Sequence, residues 1–239
     1  MKVHALLCFL LSADAGEPDR GIDLLRRVDP ALDALRGSWR FEGPALLMES
    51  MSRLQIPWAA PEEFDLVLDV ERLSNVGKLL VGLGTFDVVI DNWHANEHRS
   101  GAHRLDGRHV TEYPARIGAV LKNDVRHRIT YVVRRTSLVV KVDAVEILRF
   151  EGDFKRLSLD PRYAPPAPRA FFIANELSAF RLHRAILRPR GGRGTSLSSP
   201  DRCPLPFGQA RWSCGACGRV TVAGGPAAPL CHAAVMKRR

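Results

Sequence analysis

The chain has 239 residues, of which 46% are hydrophobic and 26% charged. This is the composition of an ordinary soluble globular protein, and the length allows one large sandwich-type domain or two small ones with a real core. The net charge of +9 invites a nucleic-acid interpretation, so its distribution along the chain decides what it means.

Most of the positive charge lies at the C-terminus. After residue 190, seven cationic side chains face one anionic one, Asp201, which gives +6 and leaves +3 for residues 16–190 because Lys2 and Asp14 cancel. The cationic residues of this segment are Arg193, Arg202, Arg211, Arg219, Lys237, Arg238 and Arg239. A charged tail is typical of a solvated, disordered end. We therefore expect no nucleic-acid partner for the folded part.

The N-terminus resembles a secretory signal peptide. Lys2 supplies a positive start, residues 5–11 form a compact apolar run, and Ala13-Asp14-Ala15 is a small-x-small cleavage pattern. The run is too short to span a bilayer. We predict a signal peptide of residues 1–15 and a secreted, periplasmic or cell-envelope protein. The alternative is a buried first strand that contains Cys8.

The pattern changes to strands after a short linker. Residues 16–36 are interpreted as a linker or entry strand plus one helical turn, with weak helical spacing that is interrupted at Asp29-Pro30. From residue 37 short apolar runs alternate with Gly and Pro, and FDLVLDVERL (64–73) alternates clearly, with Leu66, Leu68 and Val70 on one face. Residues 77–93 form near-continuous apolar runs that indicate central strands, and residues 94–124 are interpreted as a long loop with a short strand or two.

The second half of the domain reads as a meander and two closing strands. In HRITYVVRRTSLVVKVDAVEILRF (127–150) three alternating runs are separated by turn-like breaks, which predicts three antiparallel strands. A helical turn within 152–158, a Pro-rich loop and two long strands follow. This series predicts an all-β sandwich over residues 37–190. Residues 191–239, rich in Gly, Pro, Ala, Ser and Arg, are predicted to be a disordered, basic, cysteine-containing tail.

These residues resemble a known module. HRITYVVRRTSLVVKVDAVEILRFEGDFKRLSL, together with GSWRFEGPALLMES, PEEFDLVLDVERL, FDVVIDNW and SAFRLHRAIL, resembles a module of planctomycete-type bacterial proteins over residues 22–190. Such modules look like concanavalin A-like lectin/glucanase sandwiches, related to laminin-G-like and 3-keto-disaccharide-hydrolase-like groups. The resemblance implies a jelly roll of two antiparallel sheets, an extracytoplasmic location and a glycan as the usual ligand. It departs at Ala144, where the family has Gly; we expect a different turn type there, because a left-handed turn tolerates Ala poorly.

Catalytic residues are only weakly indicated. Retaining glycoside hydrolysis needs two carboxylates about 5 Å apart, and the laminarinase-type strand motif lacks its third carboxylate here, where Leu68 stands. Asp65, Asp69 and Glu71 share one strand face and remain weak candidates. The alternative is a solvated outer face.

The best ligand-binding candidates follow an apolar strand. Asp91, Asn92, Trp93, His94 and Asn96 combine an aromatic ring with polar side chains. An aromatic face stacks on the C–H surface of a sugar, and Asp or Asn takes its hydroxyls. The alternative is a loop whose Trp93 plugs one end of the sandwich.

Metal sites are indicated still more weakly. His94, His98 and His103 could bind a metal with Asp91 or Asp106, although the spacing matches no specific motif. Cys203, Cys214, Cys217 and Cys231 could form half of a zinc knuckle or two disulfides, or lie in unstructured tail. We predict no cofactor, with calcium possible.

The function predicted from the sequence is a non-catalytic carbohydrate-binding or interaction module. Its partner would be a glycan or polysaccharide, bound by Trp93 and its neighbours at the end of a sheet or on a concave sheet face, and no membrane span is predicted. The alternatives are a glycoside or keto-disaccharide hydrolase and a structural domain that binds a protein partner.

Overall fold

The structure, a computed structural model, describes residues 21–197, 209–214, 216–217, 219–224, 230–231 and 234–238. The predicted signal peptide and the Cys8 alternative lie outside these residues. One short α-helix, α1 (Pro30–Asp33), and two 3-10 helices, Leu25–Arg27 and Phe154–Arg156, are present among them, and the second 3-10 helix lies in the predicted helical turn 152–158. The strands up to the loop region are β1 (Ile22–Asp23), β2 (Ala34–Glu42), β3 (Ala45–Met48), β4 (Arg53–Ala59), β5 (Glu63–Arg72), β6 (Leu79–Leu83), β7 (Asp87–His94), β8 (Glu97–Ala102), β9 (Arg104–Leu105), β10 (Arg108–His109) and β11 (Arg116–Ile117). The later strands are β12 (Arg126–Arg134), β13 (Ser137–Val142), β14 (Val145–Glu151), β15 (Leu157–Ser158), β16 (Ala170–Asn175), β17 (Phe180–Gly191), β18 (Thr195–Ser196), β19 (Gln209–Ser213), β20 (Val220–Gly224), β21 (Leu230–Cys231), β22 (Ala234–Val235) and β23 (Lys237–Arg238).

Most of these strands form two large antiparallel sheets, while β10, β9 and β15 form a small sheet of their own and β21 pairs with β22. Sheet 1 runs β14–β13–β12–β5–β17–β3–β2–β20–β19. Sheet 2 runs β11–β8–β7–β6–β16–β4. Strand β2 belongs to both, because its first residues pair with β4 and its last with β3. The predicted all-β, concanavalin A-like jelly-roll sandwich of two antiparallel sheets is confirmed.

The core lies between the sheets and follows the alternation read from the sequence. Leu66, Leu68 and Val70 of β5 point inward and are at most 1% exposed. Val81 and Ile173 of sheet 2 meet the same apolar cluster. Trp39 of β2 is 1% exposed and packs there too. Side chains on alternate strand positions share a face, so one buried row per strand is enough to join the two sheets.

The predicted meander is present as β12, β13 and β14. Ile129 to Arg134 pair in register with Val142 to Ser137, and β13 pairs with β14 through one register shift. The turn between β13 and β14 differs from the expectation. Asp143 and Ala144 have φ values of 48° and 69°, so the turn is left-handed although Ala stands in place of Gly.

The segment 94–124, expected to be mostly loop, contains a full strand. Strand β8 pairs with β7 through a bulge at Asp91, which has a φ of 55°. Its sequence EHRSGA lacks apolar alternation. Ser100 instead accepts a hydrogen bond from the backbone N–H of Asp91, and Gly101 lies under Tyr113.

Three strands of the segment 191–239, β19, β20 and β23, continue sheet 1, whereas β18 pairs with β4 of sheet 2 and β21 pairs with β22 alone. Strand β20 pairs with β2 and β19 pairs with β20. Val220 enters the main core, and the Ser38 hydroxyl lies 2.9 Å from that of Thr221. The disorder predicted for residues 191–239 stays a prediction, and residues 198–208 and 225–229 of this segment lie outside the described residues.

Candidate functional site

The exposed tip of the β7–β8 hairpin carries the main predicted site. Ala95 and Asn96 form its turn with φ values of 48° and 65°, which is the left-handed geometry that matches the twist of a two-residue hairpin. Trp93 stands directly opposite His98, and their ring centroids lie 4.8 Å apart. Trp93 is 42% exposed. The hairpin therefore presents an indole ring to solvent on a turn with a defined conformation.

The five predicted contact residues divide into two groups. Trp93, His94 and Asn96 are exposed at the tip, but Asn92 is only 6% exposed and Asp91 is fully buried. The carboxylate of Asp91 accepts hydrogen bonds from Arg72 Nη1 (3.1 Å) and from the backbone N–H groups of Val120 and Leu121 (2.8 and 3.0 Å). These partners occupy the carboxylate, so only the first group faces a ligand from solvent.

The three weak catalytic candidates lie on the outer face of sheet 1, and each contacts two basic side chains. Asp65 contacts Arg134 (2.8 Å) and Arg190 (2.7 Å).

Asp69 and Glu71 show the same arrangement. Asp69 contacts Arg126 (2.9 Å) and Arg128 (2.8 Å), and Glu71 contacts Arg181 (3.0 Å) and His183 (2.9 Å). The basic side chains that contact Asp65, Asp69 and Glu71 come from β12 and β17, the two strands that flank β5 in register. The outer face of sheet 1 is therefore a lattice of opposite charges.

This pairing sets the protonation of the carboxylates. Burial would raise the pKa of Asp69, but the hydrogen bonds from Arg128 and Arg126 together outweigh it and hold the pKa below its ordinary value. The hydrogen bond from His183, aided by Arg181, likewise lowers the pKa of Glu71. A general acid in glycoside hydrolysis needs a raised pKa. Asp69 and Glu71 have the opposite shift.

The outer face of sheet 2 is covered by two segments of the chain, 103–117 and 157–169. Leu80, Val89 and Phe172 point outward from this sheet and pack under Tyr113 and Tyr163. A Cβ on Gly101 would come within 2.9 Å of the Tyr113 hydroxyl, so glycine is needed for the first segment to lie this close. That hydroxyl donates to the carbonyl oxygen of Ala102. Neither sheet therefore offers an open apolar outer surface in its described residues.

A buried polar cluster fastens these segments to sheet 2. His103 Nδ1 lies 2.6 Å from Asp87 Oδ2, and both side chains are fully buried. Asp160 receives Arg104 (3.1 Å) and Arg162 (3.0 Å), and its backbone N–H donates to Asp87 Oδ1 (3.2 Å). No local sequence pattern reveals this cluster. His103 lies 16 positions from Asp87 along the chain, and Asp160 lies 56 positions from Arg104 and 73 from Asp87.

Burial dominates the electrostatics of this cluster. It raises the pKa of Asp87 despite the hydrogen bond from His103. It also lowers the pKa of the nearby His109 to about 4, with a further contribution from the charge of His103. The rings of His103 and His109 lie 5.0 Å apart.

The predicted histidine metal site is not assembled. His94 is exposed at the hairpin tip, His98 lies beside Trp93, and His103 is bound to Asp87. Asp106 forms an ion pair with Arg156 at 2.8 Å. Within the described ranges, no group of three or more His, Cys, Asp or Glu side chains is placed to hold a metal ion.

The cysteines are described only in part. Cys214 and Cys217 lie in the β19–β20 connection and pack with Trp212 and Met236. Cys203 lies outside the described residues, as does the side chain of Cys231. The zinc and disulfide alternatives therefore stay predictions. Among all the residues that the structure describes, no helix is long and apolar enough to cross a membrane.

Comparison with known proteins gives structural likeness only. No family model and no curated protein matches the chain. A carbohydrate-binding module from Bacillus subtilis aligns with a TM-score of 0.45 and 6% identity over 65% of this chain and 94% of its own.

Two further solved structures align in the same way. A Bacillus subtilis protein of unknown function with a galectin-like fold aligns with a TM-score of 0.47 and 9% identity over 66% of this chain and 89% of its own. The non-specific endo-β-1,3(4)-glucanase SCLam aligns at 0.43 and 12% identity over 64% of this chain and 74% of its own. At TM-scores and identities this low, the likeness carries no argument about what this chain binds.

Proposed function

We propose that this protein is a secreted, non-catalytic carbohydrate-binding module whose contact surface is the tip of the β7–β8 hairpin. The observation that carries the proposal is Trp93, an indole ring 42% exposed on a turn of fixed geometry. An aromatic face exposed in this way suits the C–H surface of a sugar ring. His94 and Asn96 beside it supply hydrogen-bonding groups for hydroxyls.

The charge lattice of sheet 1 supports the non-catalytic part of this proposal. Asp65 and Asp69 each contact two arginine side chains, and Glu71 contacts Arg181 and His183. A hydrolase that used them would need one carboxylate to act as a protonated acid at working pH. The lowered pKa values of Asp69 and Glu71 argue against that role.

A second candidate function is a domain that binds a protein partner. It is favoured by the covered outer face of sheet 2, because a filled sheet face leaves no groove there for a glycan chain. Under this alternative, Trp93 would be a contact residue for a protein surface, where tryptophan is enriched.

The test is a glycan-array screen of the full chain, with calcium and with a chelator, beside Trp93→Ala. Saturable binding that is lost in Trp93→Ala is the expected result, and loss with chelator alone would add a calcium ion to the site. Phe41→Ala is the matched control, because Phe41 is an aromatic residue of similar exposure (40%) on sheet 1. A folded protein that binds no glycan would exclude the carbohydrate function and leave the protein-binding one.

A further inference from the structure

A pocket of about 450 Å³ opens between the two sheets at the end of the sandwich opposite to Trp93. Its wall contains Phe64 and Val133 from sheet 1, Leu83 and Phe86 from sheet 2, and Phe154 after β14. Phe86 immediately precedes β7, whereas Trp93 lies near the end of that strand. The volume lies within the range of about 300–1,000 Å³ that small-molecule sites occupy.

The shape of this pocket follows from small residues and stacked aromatic rings. Ala60 and Gly84 form one wall, and a Cβ on Gly84 would lie 3.0 Å from that of Ala60. Gly84 also has a φ of 96°, which side chains other than glycine rarely adopt. On the other side, Phe154 packs edge to face on Phe86, with ring centroids 5.2 Å apart. The interior is therefore apolar and partly aromatic.

The rim of the pocket carries charge that the protein itself does not neutralise. Glu62, Thr85, Arg135 and Arg169 line the mouth, and all four are exposed. Arg169 Nη2 donates to the carbonyl oxygen of Ala60 at 3.1 Å. Within the part of the chain that the structure describes, Glu62, Arg135 and Arg169 enter no ion pair, unlike the carboxylates of β5. The lining thus holds two guanidinium groups and one carboxylate, and a second carboxylate, that of Glu63, lies beside Arg135 and accepts a hydrogen bond from the Arg135 backbone N–H at 2.9 Å.

We propose that this pocket binds a small ligand that combines a carboxylate with a flat apolar face. The carboxylate is held by Arg135 and Arg169, since guanidinium groups bind carboxylates through charge-assisted hydrogen bonds. The apolar face packs on Phe154 and Phe86. An acidic sugar and an aromatic acid share this chemistry. The site is separate from the Trp93 tip, so it does not depend on the function proposed above.

The experiment measures binding to the full chain by ligand-observed NMR titration with D-glucuronate and with benzoate. D-glucose and benzyl alcohol are the uncharged counterparts. We expect at least one of the two acids to bind, and its uncharged counterpart to bind at least about tenfold more weakly, because charge-assisted hydrogen bonds to the guanidinium groups are lost. Binding of glucuronate alone identifies an acidic sugar, and binding of benzoate alone identifies an aromatic acid; either result supports the proposal.

Arg135→Gln assigns the binding to the pocket. We expect it to weaken binding of the acid about tenfold, while Arg116→Gln, an exposed arginine in β11 that does not line the pocket, leaves it unchanged. Trp93→Ala should also leave it unchanged. The proposal is overturned if neither acid binds, or if the affinity is the same in a folded Arg135→Gln variant.

Discussion

Arg72 and Asp91 show how single residues close one end of the sandwich. Their side chains are 5% and 0% exposed and lie 3.1 Å apart. Arg72 also donates to the carbonyl oxygen of Leu121 (2.5 Å) and to Asn123 Oδ1 (2.7 Å). Asp91 accepts from the backbone of residues 120 and 121. The pair thus fastens the segment before β12 across the ends of both sheets.

Breaking this pair should be costly. Arg72→Met leaves a buried carboxylate without its charge partner, and we expect the free energy of unfolding to fall by about 3–5 kcal/mol in urea denaturation. Asp91→Asn keeps a residue that tolerates the φ of 55°, so its loss of stability reports on charge rather than backbone strain.

The double variant is the control for this coupling. Because both substitutions remove one interaction, their combined cost should be smaller than the sum of the single costs. Single costs below about 1 kcal/mol, or strictly additive ones, would contradict a coupled buried pair.

At the scale of the element, the hairpins explain where the chain accepts strain. The β13–β14 turn is left-handed at Asp143 and Ala144, and the Asp143 side chain fixes it. Its carboxylate accepts the backbone N–H of Arg128 at 2.8 Å and lies 2.5 Å from His127 Nδ1. These contacts to the neighbouring strand hold the geometry that Ala144 disfavours. The sequence of the turn alone predicts another turn type, because it does not show these contacts.

Ala144→Gly should relieve this strain. Glycine adopts a φ of 69° without steric cost, so we expect the free energy of unfolding to rise by about 1 kcal/mol. Ala119→Gly is the matched control, because Ala119 is exposed and is not among the positions of positive φ. There glycine only adds freedom to the unfolded chain and should lower stability. Equal thermal shifts for the two variants would show that the turn stores no strain.

At the scale of the whole molecule, both outer faces are closed and the ends carry the accessible features. Sheet 1 is closed by ion pairs and sheet 2 by the segments 103–117 and 157–169. The hairpin tip with Trp93 lies at one end, and the pocket beside Phe86 lies at the other. The segments over sheet 2 contain the half-buried His109, whose pKa is lowered, so this cover should respond to acid.

The pH dependence of stability follows from His109. Its pKa in the folded protein is lowered to about 4 from an ordinary 6.5, so the unfolded chain binds more protons between these values. Stability should therefore fall as the pH is lowered from 6.5 toward 4. Asp69 and Glu71 have lowered pKa values and lose their contribution only at more acid pH.

Urea unfolding at pH 7 and pH 5 tests this assignment. His109→Gln should reduce the stability difference between the two pH values by about 1 kcal/mol, less than the full shift implies because the ring is partly in solvent. If the stability difference between pH 7 and pH 5 is unchanged in His109→Gln, a group other than His109 causes the loss of stability in acid.

Local patterns in the sequence are enough to predict the strands and hence the fold class. Alternation in β5, in the meander and in β17 is a local property, since each strand turns every second side chain to one face. The sequence also places Trp93 at the end of an apolar strand, but it does not predict the hairpin, because β8 lacks the alternation that indicates a strand.

Which charges meet and which surfaces stay open depends on contacts between distant parts of the chain. Asp91 reads as a sugar contact until Arg72, 19 positions away, is seen beside it. Strand β8 has no apolar alternation and is defined by its pairing with β7. Strand β20 of the basic C-terminal segment pairs with β2, far away in the chain. Arg135 and Arg169, which are distant in the chain, likewise line the rim of one pocket. Such pairings depend on long-range register, which no local pattern encodes.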